Sequence, residues 1–151
     1  MKILMVCLGN ICRSPLAEGI LKEKVRARGL DWQVDSAGTG GWHAGERPDP
    51  RSIRTARRYG IDITDQRARK FRYEDLEQFD LVLAMDASNY SDILHMAASE
   101  AQRDKVQMIL NFLHPDSDRD VPDPFWDDNG FETVYKMLDE ACEALIEWYV
   151  A

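Results

Sequence analysis

Cysteine is scarce in this chain: Cys7, Cys12 and Cys142 are the only three in 151 residues. An odd, sparse set excludes a disulfide framework and points to a reducing compartment, with the cytoplasm as the default. Positive charge is also in deficit. Nineteen basic side chains face 27 acidic ones, for a formal net charge of −8. That balance argues against general affinity for nucleic acid or an anionic membrane. Any phosphate the protein binds must be captured locally, against the overall field. No stretch approaches the ~20 apolar residues of a membrane span. The apolar N-terminal run is too short for a secretory signal, and polar Asn10 and Arg13 come soon after it. The histidines His43, His95 and His114 show no metal-ligand spacing, and no role is assigned to them. There is no repeat, low-complexity segment or linker, so residues 1–151 read as a single domain with room for a sizeable core.

What is present is an alternation of buried strands and helices. "KILMVC" (Lys2 to Cys7) is continuously apolar, as a strand covered on both faces should be. Ser14-Pro15 reads as an N-cap and first helical residue. Leu16, Ile20, Leu21 and Val25 come next at helical spacing, and Gly29 ends the helix. Further strands are expected over Trp32 to Gly38, Phe79 to Asp86 and Lys105 to Leu110. Helices are expected over Arg51 to Tyr59, from Ala87 or Ser88, and from Phe131 to Val150. The last should bury Val134, Leu138, Ala141, Leu145 and Trp148 on one face. The pattern predicts an α/β fold of three layers: a four-stranded parallel sheet with helices on both faces. Such sheets bind ligands at the carboxyl ends of their strands, where Cys7 and Asp86 fall.

The segment "CLGNICRS", Cys7 to Ser14, carries the chemistry. It joins a buried strand to a helix N-terminus, where unpaired N–H groups and the helix dipole favour an anion. Gly9 and Asn10 tolerate the dihedrals that turn several amides inward. Arg13 adds a planar fork for two phosphate oxygens. In such a field a cysteine thiol is expected to ionise at neutral pH, making Cys7 a nucleophile. The Ser14 hydroxyl can stabilise the same sulfur as a leaving group. The loop lacks the Gly-Lys-Ser/Thr ending of a nucleotide phosphate loop and the G-x-G-x-x-G dinucleotide fingerprint.

Attack on phosphorus would form a phosphocysteine, later hydrolysed, and needs a proton donor for the departing oxygen. "VPDPFW" offers Asp123 between two prolines that stiffen its loop. Phe125 and Trp126 beside it are expected to desolvate the acid. An Asp-Pro turn without a chemical role is the plainer alternative. Asp86 is a candidate acceptor for the phosphate loop or for Arg13, or simply a helix-start aspartate. Arg51, Arg54 and Arg58 share one helical face and read as solvated, with docking of an acidic protein as the alternative.

"CLGNICRS", "DSAGT", "MDASN", "DPF" and "FETVY" together resemble the low-molecular-weight protein tyrosine phosphatase family over essentially the whole chain. The resemblance implies a flavodoxin-like fold, no metal and no cofactor. It implies Cys7 as nucleophile, Arg13 as the phosphoryl-binding arginine, and Asp123 as general acid and then base. Asn10 and Ser14 match positions that shape the loop and assist the leaving thiolate. Leu8, Trp42, Phe125 and Trp126 match positions lining the crevice, and Gly9, Ile11 and Cys12 complete the phosphate loop. Phosphotyrosine proteins are the implied substrates, a tyrosine kinase is a candidate partner, and a monomer or weak dimer is expected. One departure stands out: some members carry a histidine where this chain has "TDQRARKF", which leaves the bracing of Asn10 open.

Three rival chemistries compete with this reading. Arsenate reduction on this fold needs two further relay cysteines, and past Cys12 only Cys142 exists. Phosphoarginine hydrolases of this type carry threonine where this loop has Ile11. A phosphocarrier would not need Asp123. Cys12, in the same tight loop as Cys7, is also a candidate redox partner through a reversible disulfide. The alternative is a small side chain packed beneath the loop.

Overall fold

Alternate residues of the first strand face opposite layers, and this decides where the nucleophile candidate points. The computed structural model describes residues 1–150. Strand β1 (Lys2–Cys7) sends Ile3, Met5 and Cys7 into a core shared with Leu16, Ile20, Val134, Leu138 and Leu145. Leu4 and Val6 enter a second core with Phe71, Leu76, Phe79 and Ile93 on the other face. The first core is roofed by α1 (Arg13–Ala27) and α6 (Gly130–Val150). The second lies beneath α3 (Asp75–Gln78) and α4 (Ala87–Met96). Two covered faces explain why β1 is apolar throughout rather than alternating.

The sheet is four-stranded and parallel in the order β2-β1-β3-β4, with β2 at Gln33–Gly38, β3 at Leu81–Ala84 and β4 at Val106–Met108. From β1 the chain moves first to one side, to β2, and later to the other, to β3. The carboxyl ends of β1 and β3 therefore flank the point where the winding reverses, the crevice that such sheets offer to ligands. The three-layer α/β architecture is the one the sequence pattern predicts. The remaining helices are α2 (Pro50–Arg58) and α5 (Glu100–Asp104). No described helix is long and apolar enough to cross a membrane.

Several boundaries differ from the sequence expectation. Helix α1 starts at Arg13, so Ser14 is not its N-cap. Cys12 holds that place without a side-chain bond, because the Ser14 hydroxyl is engaged within the loop. Pro15 still falls in the first turn, where its missing N–H costs nothing. Strand β3 is shorter than Phe79 to Asp86, since Phe79 closes α3 and Asp86 caps α4 through Asn89 N (2.8 Å). After Met108 the expected fourth strand coils into a 3₁₀ turn, Ile109–Phe112. Trp148 is not buried. It is 73% exposed, because the 21-residue α6 outruns the core beyond Ile146.

Candidate active site

The loop after β1 is held from outside by its carbonyl groups. Thr39 N donates to Cys7 O (2.9 Å), Gly40 N to Leu8 O (2.9 Å), Asp49 N to Ile11 O (2.8 Å), and Ser52 Oγ to Cys12 O (3.2 Å). Among the described residues, the N–H groups of Gly9, Ile11 and Cys12 have no such partner within the protein. A backbone with its carbonyls satisfied and its amides free is an anion receptor. Gly38 at the end of β2 makes the close approach possible: a Cβ there would stand 2.7 Å from Leu8 O and 3.1 Å from Asn10 N.

Asn10 fixes the loop's shape. It adopts a left-handed φ of 56°, which asparagine tolerates better than most residues. Its Nδ2 donates to Ser14 Oγ (2.8 Å) and Ser36 Oγ (2.9 Å), and its Oδ1 accepts from Arg69 N (3.0 Å). Ser36 in turn donates to Glu18 Oε1 (2.6 Å), and Glu18 pairs with Lys22. Burial pushes the Glu18 carboxyl above its ordinary pKa, against the opposing pull of Lys22 and Ser36. Arg69 is pinned by Asp35 and the fully buried Asp75. The bracing that the sequence left open is thus supplied by Ser36, Glu18 and Arg69. The sequence assigned none of them this role, although "DSAGT" contains Ser36 and "TDQRARKF" contains Arg69.

That network directs a proton. Ser14 Oγ accepts from Asn10, so its own O–H is free to point at Cys7 Sγ, 3.0 Å away. Asn10 N donates to the same sulfur at 3.3 Å. Cys7 itself is buried at the floor of the loop.

Arg13, only 2% exposed, closes the site from the far side. Its Nη1 donates to Asp86 Oδ2 (2.6 Å) and Val121 O (3.0 Å), while Nη2 stands 3.9 Å from Asp123 Oδ2. Burial opposes its charge, yet Cys7, Asp86 and Asp123 hold its pKa above the ordinary arginine value. Of the roles considered for it, Asp86 takes two, binding Arg13 with one oxygen and capping α4 with the other.

The walls form a cavity of about 180 Å³ lined by Cys7, Leu8, Arg13, Trp42, Asp123 and Phe125, among others. A larger cavity of about 530 Å³ beside β4 contains no cysteine, arginine or histidine. Phe125 and Trp126 meet edge to face, 4.8 Å apart. Trp126 is 88% exposed, so it stands at the mouth and does not desolvate Asp123 as expected. Trp42 rests over Gly40, where any Cβ would collide with its ring. His43, to which the sequence assigned nothing, also lines the cavity and bonds Glu46 through Nδ1 (3.0 Å). Ile11 and Cys12 pack with Ala68 and Phe131, and burial pushes the Cys12 thiol up to about 12. Cys142 is buried in α6, its thiol likewise at about 12.

This arrangement has counterparts. Residues 2–149 match the family "Low molecular weight phosphotyrosine protein phosphatase". The chain belongs to this family. A Homo sapiens protein with that name is 37% identical over 149 residues, covering 96% of this chain and 93% of its own. The Bacillus subtilis low-molecular-weight protein-tyrosine-phosphatase YfkJ is 38% identical, over 95% and 92% respectively. The crystal structure of a Drosophila arginine phosphatase is 35% identical and superposes with a TM-score of 0.93, covering 100% of this chain and 99% of that one. Family membership makes the protein a hydrolase of the protein-tyrosine-phosphatase type. A protein named an arginine phosphatase thus shares this fold.

Proposed function

We propose that this phosphatase hydrolyses phosphotyrosine and small aryl phosphates through a phosphocysteine. The phosphate settles on the loop amides and the Arg13 guanidinium. Cys7 Sγ attacks phosphorus while the ester oxygen departs, taking a proton from the Asp123 carboxyl. Asp123, now a carboxylate, removes a proton from water as that water attacks the phosphocysteine. The departing thiolate is received by the Ser14 hydroxyl and Asn10 N–H, releasing inorganic phosphate. One observation carries this reading: Cys7 Sγ sits under two hydrogen-bond donors, with Arg13 and Asp123 gathered around the same cavity.

The aromatic rim supports a flat leaving group, since Trp42, Phe125 and Trp126 can stack on a phenyl ring. Ile11, rather than threonine, favours phosphotyrosine over phosphoarginine. We read residues 1–151 as one phosphatase domain, acting as a monomer or weak dimer on phosphotyrosine proteins, a tyrosine kinase among them. Three unpaired thiols, one of them the nucleophile, suit the cytoplasm. Turnover of phosphotyrosine, phosphoserine and phosphoarginine tests the substrate class. Phosphotyrosine should be fastest, Cys7→Ser should abolish turnover, and Asp123→Ala should slow it strongly. Faster turnover of phosphoarginine would overturn the assignment.

Cys12 is proposed as the redox partner of Cys7. Peroxide oxidises Cys7 Sγ to a sulfenic acid, which condenses with the Cys12 thiol to form a disulfide and water; dithiothreitol reduces the disulfide. Cys12→Ser should recover less activity than wild type after peroxide and dithiothreitol; equal recovery would remove Cys12 from the scheme.

A further inference from the structure

Asp123 belongs to a segment with few ties to the rest of the protein. Val121 N bonds to Met85 O (2.8 Å), and α6 begins at Gly130. Between Pro122 and Asn129, among the described residues, the backbone bonds are all local: Phe125 N to the Asp123 side chain, Asp127 N to Pro124 O, Asn129 N to the Asp127 side chain, and Gly130 N, the first residue of α6, to Asp127 O. Yet a proton donor works only when held at hydrogen-bond distance from the oxygen it serves. Something must fix this segment relative to Cys7.

Two arginines reach into it. Arg13 belongs to the phosphate site, and its Asp123 contact is long at 3.9 Å. The other is Arg51 on α2, a helix that contributes no residue to the cavity. We propose that Arg51 is a positioning residue that clamps the Asp123 segment to the phosphate loop. This rests on the assignment of Asp123 as general acid.

The clamp has two jaws. On one side, Arg51 Nε and Nη2 grip Asp49 in a bidentate pair (3.0 and 2.9 Å), and Arg51 N also donates to Asp49 (2.8 Å). Asp49 N is bonded to Ile11 O (2.8 Å), inside the phosphate loop. On the other side, Arg51 Nη1 donates to Asp128 Oδ1, within the Asp123 segment. The guanidinium carbon also lies 5.4 Å above the Phe125 ring and 4.7 Å above that of Phe131. Phe131 packs against Ile11 and Cys12, with Phe125 beside it. One planar cation thus joins the nucleophile's loop and the acid's loop by ion pairs and by contact with two aromatic rings, a combination that lysine cannot reproduce. Arg51 is therefore not part of a solvated arginine face, in contrast with the sequence reading.

A role in aiming a proton donor has a signature. Phenols that leave easily need little protonation, whereas poor leaving groups depend on the acid. Loosening the clamp should therefore steepen the dependence of kcat/KM on leaving-group acidity, and a general weakening of the fold should not. The experiment measures kcat/KM for a series of aryl phosphates, from p-nitrophenyl to phenyl phosphate, at constant pH. It uses wild type, Arg51→Lys, Asp128→Asn, Asp123→Ala and the Arg51→Lys/Asp123→Ala double variant. Asp128 is a safe second point of attack because its side chain is 82% exposed.

Arg51→Lys should lower kcat/KM on phenyl phosphate about tenfold and on p-nitrophenyl phosphate much less. Asp128→Asn should move in the same direction by a smaller factor. In the Asp123→Ala background Arg51→Lys should add no further steepening, since two residues acting through one proton are not additive. An equal loss across the series for Arg51→Lys and Asp128→Asn, or no loss, overturns the clamp while Asp123→Ala remains steep. A flat series for Asp123→Ala itself overturns the general-acid assignment and the clamp with it.

Discussion

Replacing Asn10 tests whether the loop is held by its own polar network or merely by the sheet beside it. Asn10 is 2% exposed and makes three side-chain hydrogen bonds. Alanine removes all three. The Ser14 and Ser36 hydroxyls keep Cys7 and Glu18 as partners, so each lost bond there costs about 1 kcal/mol. Arg69 N is left without its acceptor, at about 1–3 kcal/mol for a desolvated amide. Alanine at φ 56° adds about 1 kcal/mol of backbone strain that asparagine largely escapes. The expected loss is roughly 4–6 kcal/mol, a large share of the ~5–15 kcal/mol that holds a typical domain together. Glycine loses the same bonds but accepts the dihedral, so Asn10→Gly should be about 1 kcal/mol less harmful than Asn10→Ala. Urea unfolding of the three proteins measures both numbers. With the Ser14 proton no longer directed at Cys7, kcat should fall in both variants. If alanine costs less than about 1 kcal/mol, or glycine proves worse than alanine, the network is not what shapes the loop.

The same geometry sets other outcomes. Glu18 has its folded pKa raised by burial, so the folded state binds more protons than the unfolded state above the ordinary glutamate range. Stability should decline as pH rises from that range through the raised folded pKa. Glu18→Gln should flatten the decline in unfolding experiments across pH, and an unchanged slope would refute the attribution. Iodoacetate at neutral pH should alkylate Cys7 alone, as read by peptide mass spectrometry, because Cys12 and Cys142 remain thiols with pKa values near 12. Inorganic phosphate should protect Cys7, and label on either other cysteine would contradict the assignment. Trp126→Ala should leave the melting temperature within about 1 °C, as its ring is nearly all in solvent. It should raise KM for phosphotyrosine peptides several-fold; an unchanged KM would remove Trp126 from the rim.

The parallel sheet and the position of Cys7 were legible because both depend on local pattern. A doubly covered strand must be apolar throughout, and a loop of Gly, Asn, Arg and Ser before a helix has few other uses. The elements the sequence hid are those set by distant partners. Helices α3 and α5, of four and five residues, are too short to show a period. Ser36, Glu18 and Arg69 look like ordinary polar residues until β2, α1 and the loop between α2 and α3 bring them to Asn10. Arg51 read as a surface charge because its partners, Asp49 and Asp128, lie on either side of a gap that only the tertiary fold closes. Trp148 misled in the opposite direction: helical spacing placed it on the apolar face, but not within the length of the core.

Cys7 ends an inner strand of the sheet, between β2 and β3, whereas the backbone of the Asp123 segment is tied to the sheet only at its start and is otherwise held by side chains. Warming should therefore dismantle the enzyme in stages. The Asp123 segment drifts first, while Cys7 Sγ keeps its place until the whole sheet gives way. Near its melting point such a catalyst would still cleave activated esters after losing those that resemble its natural substrates, so an artificial chromogenic assay would overstate its heat tolerance.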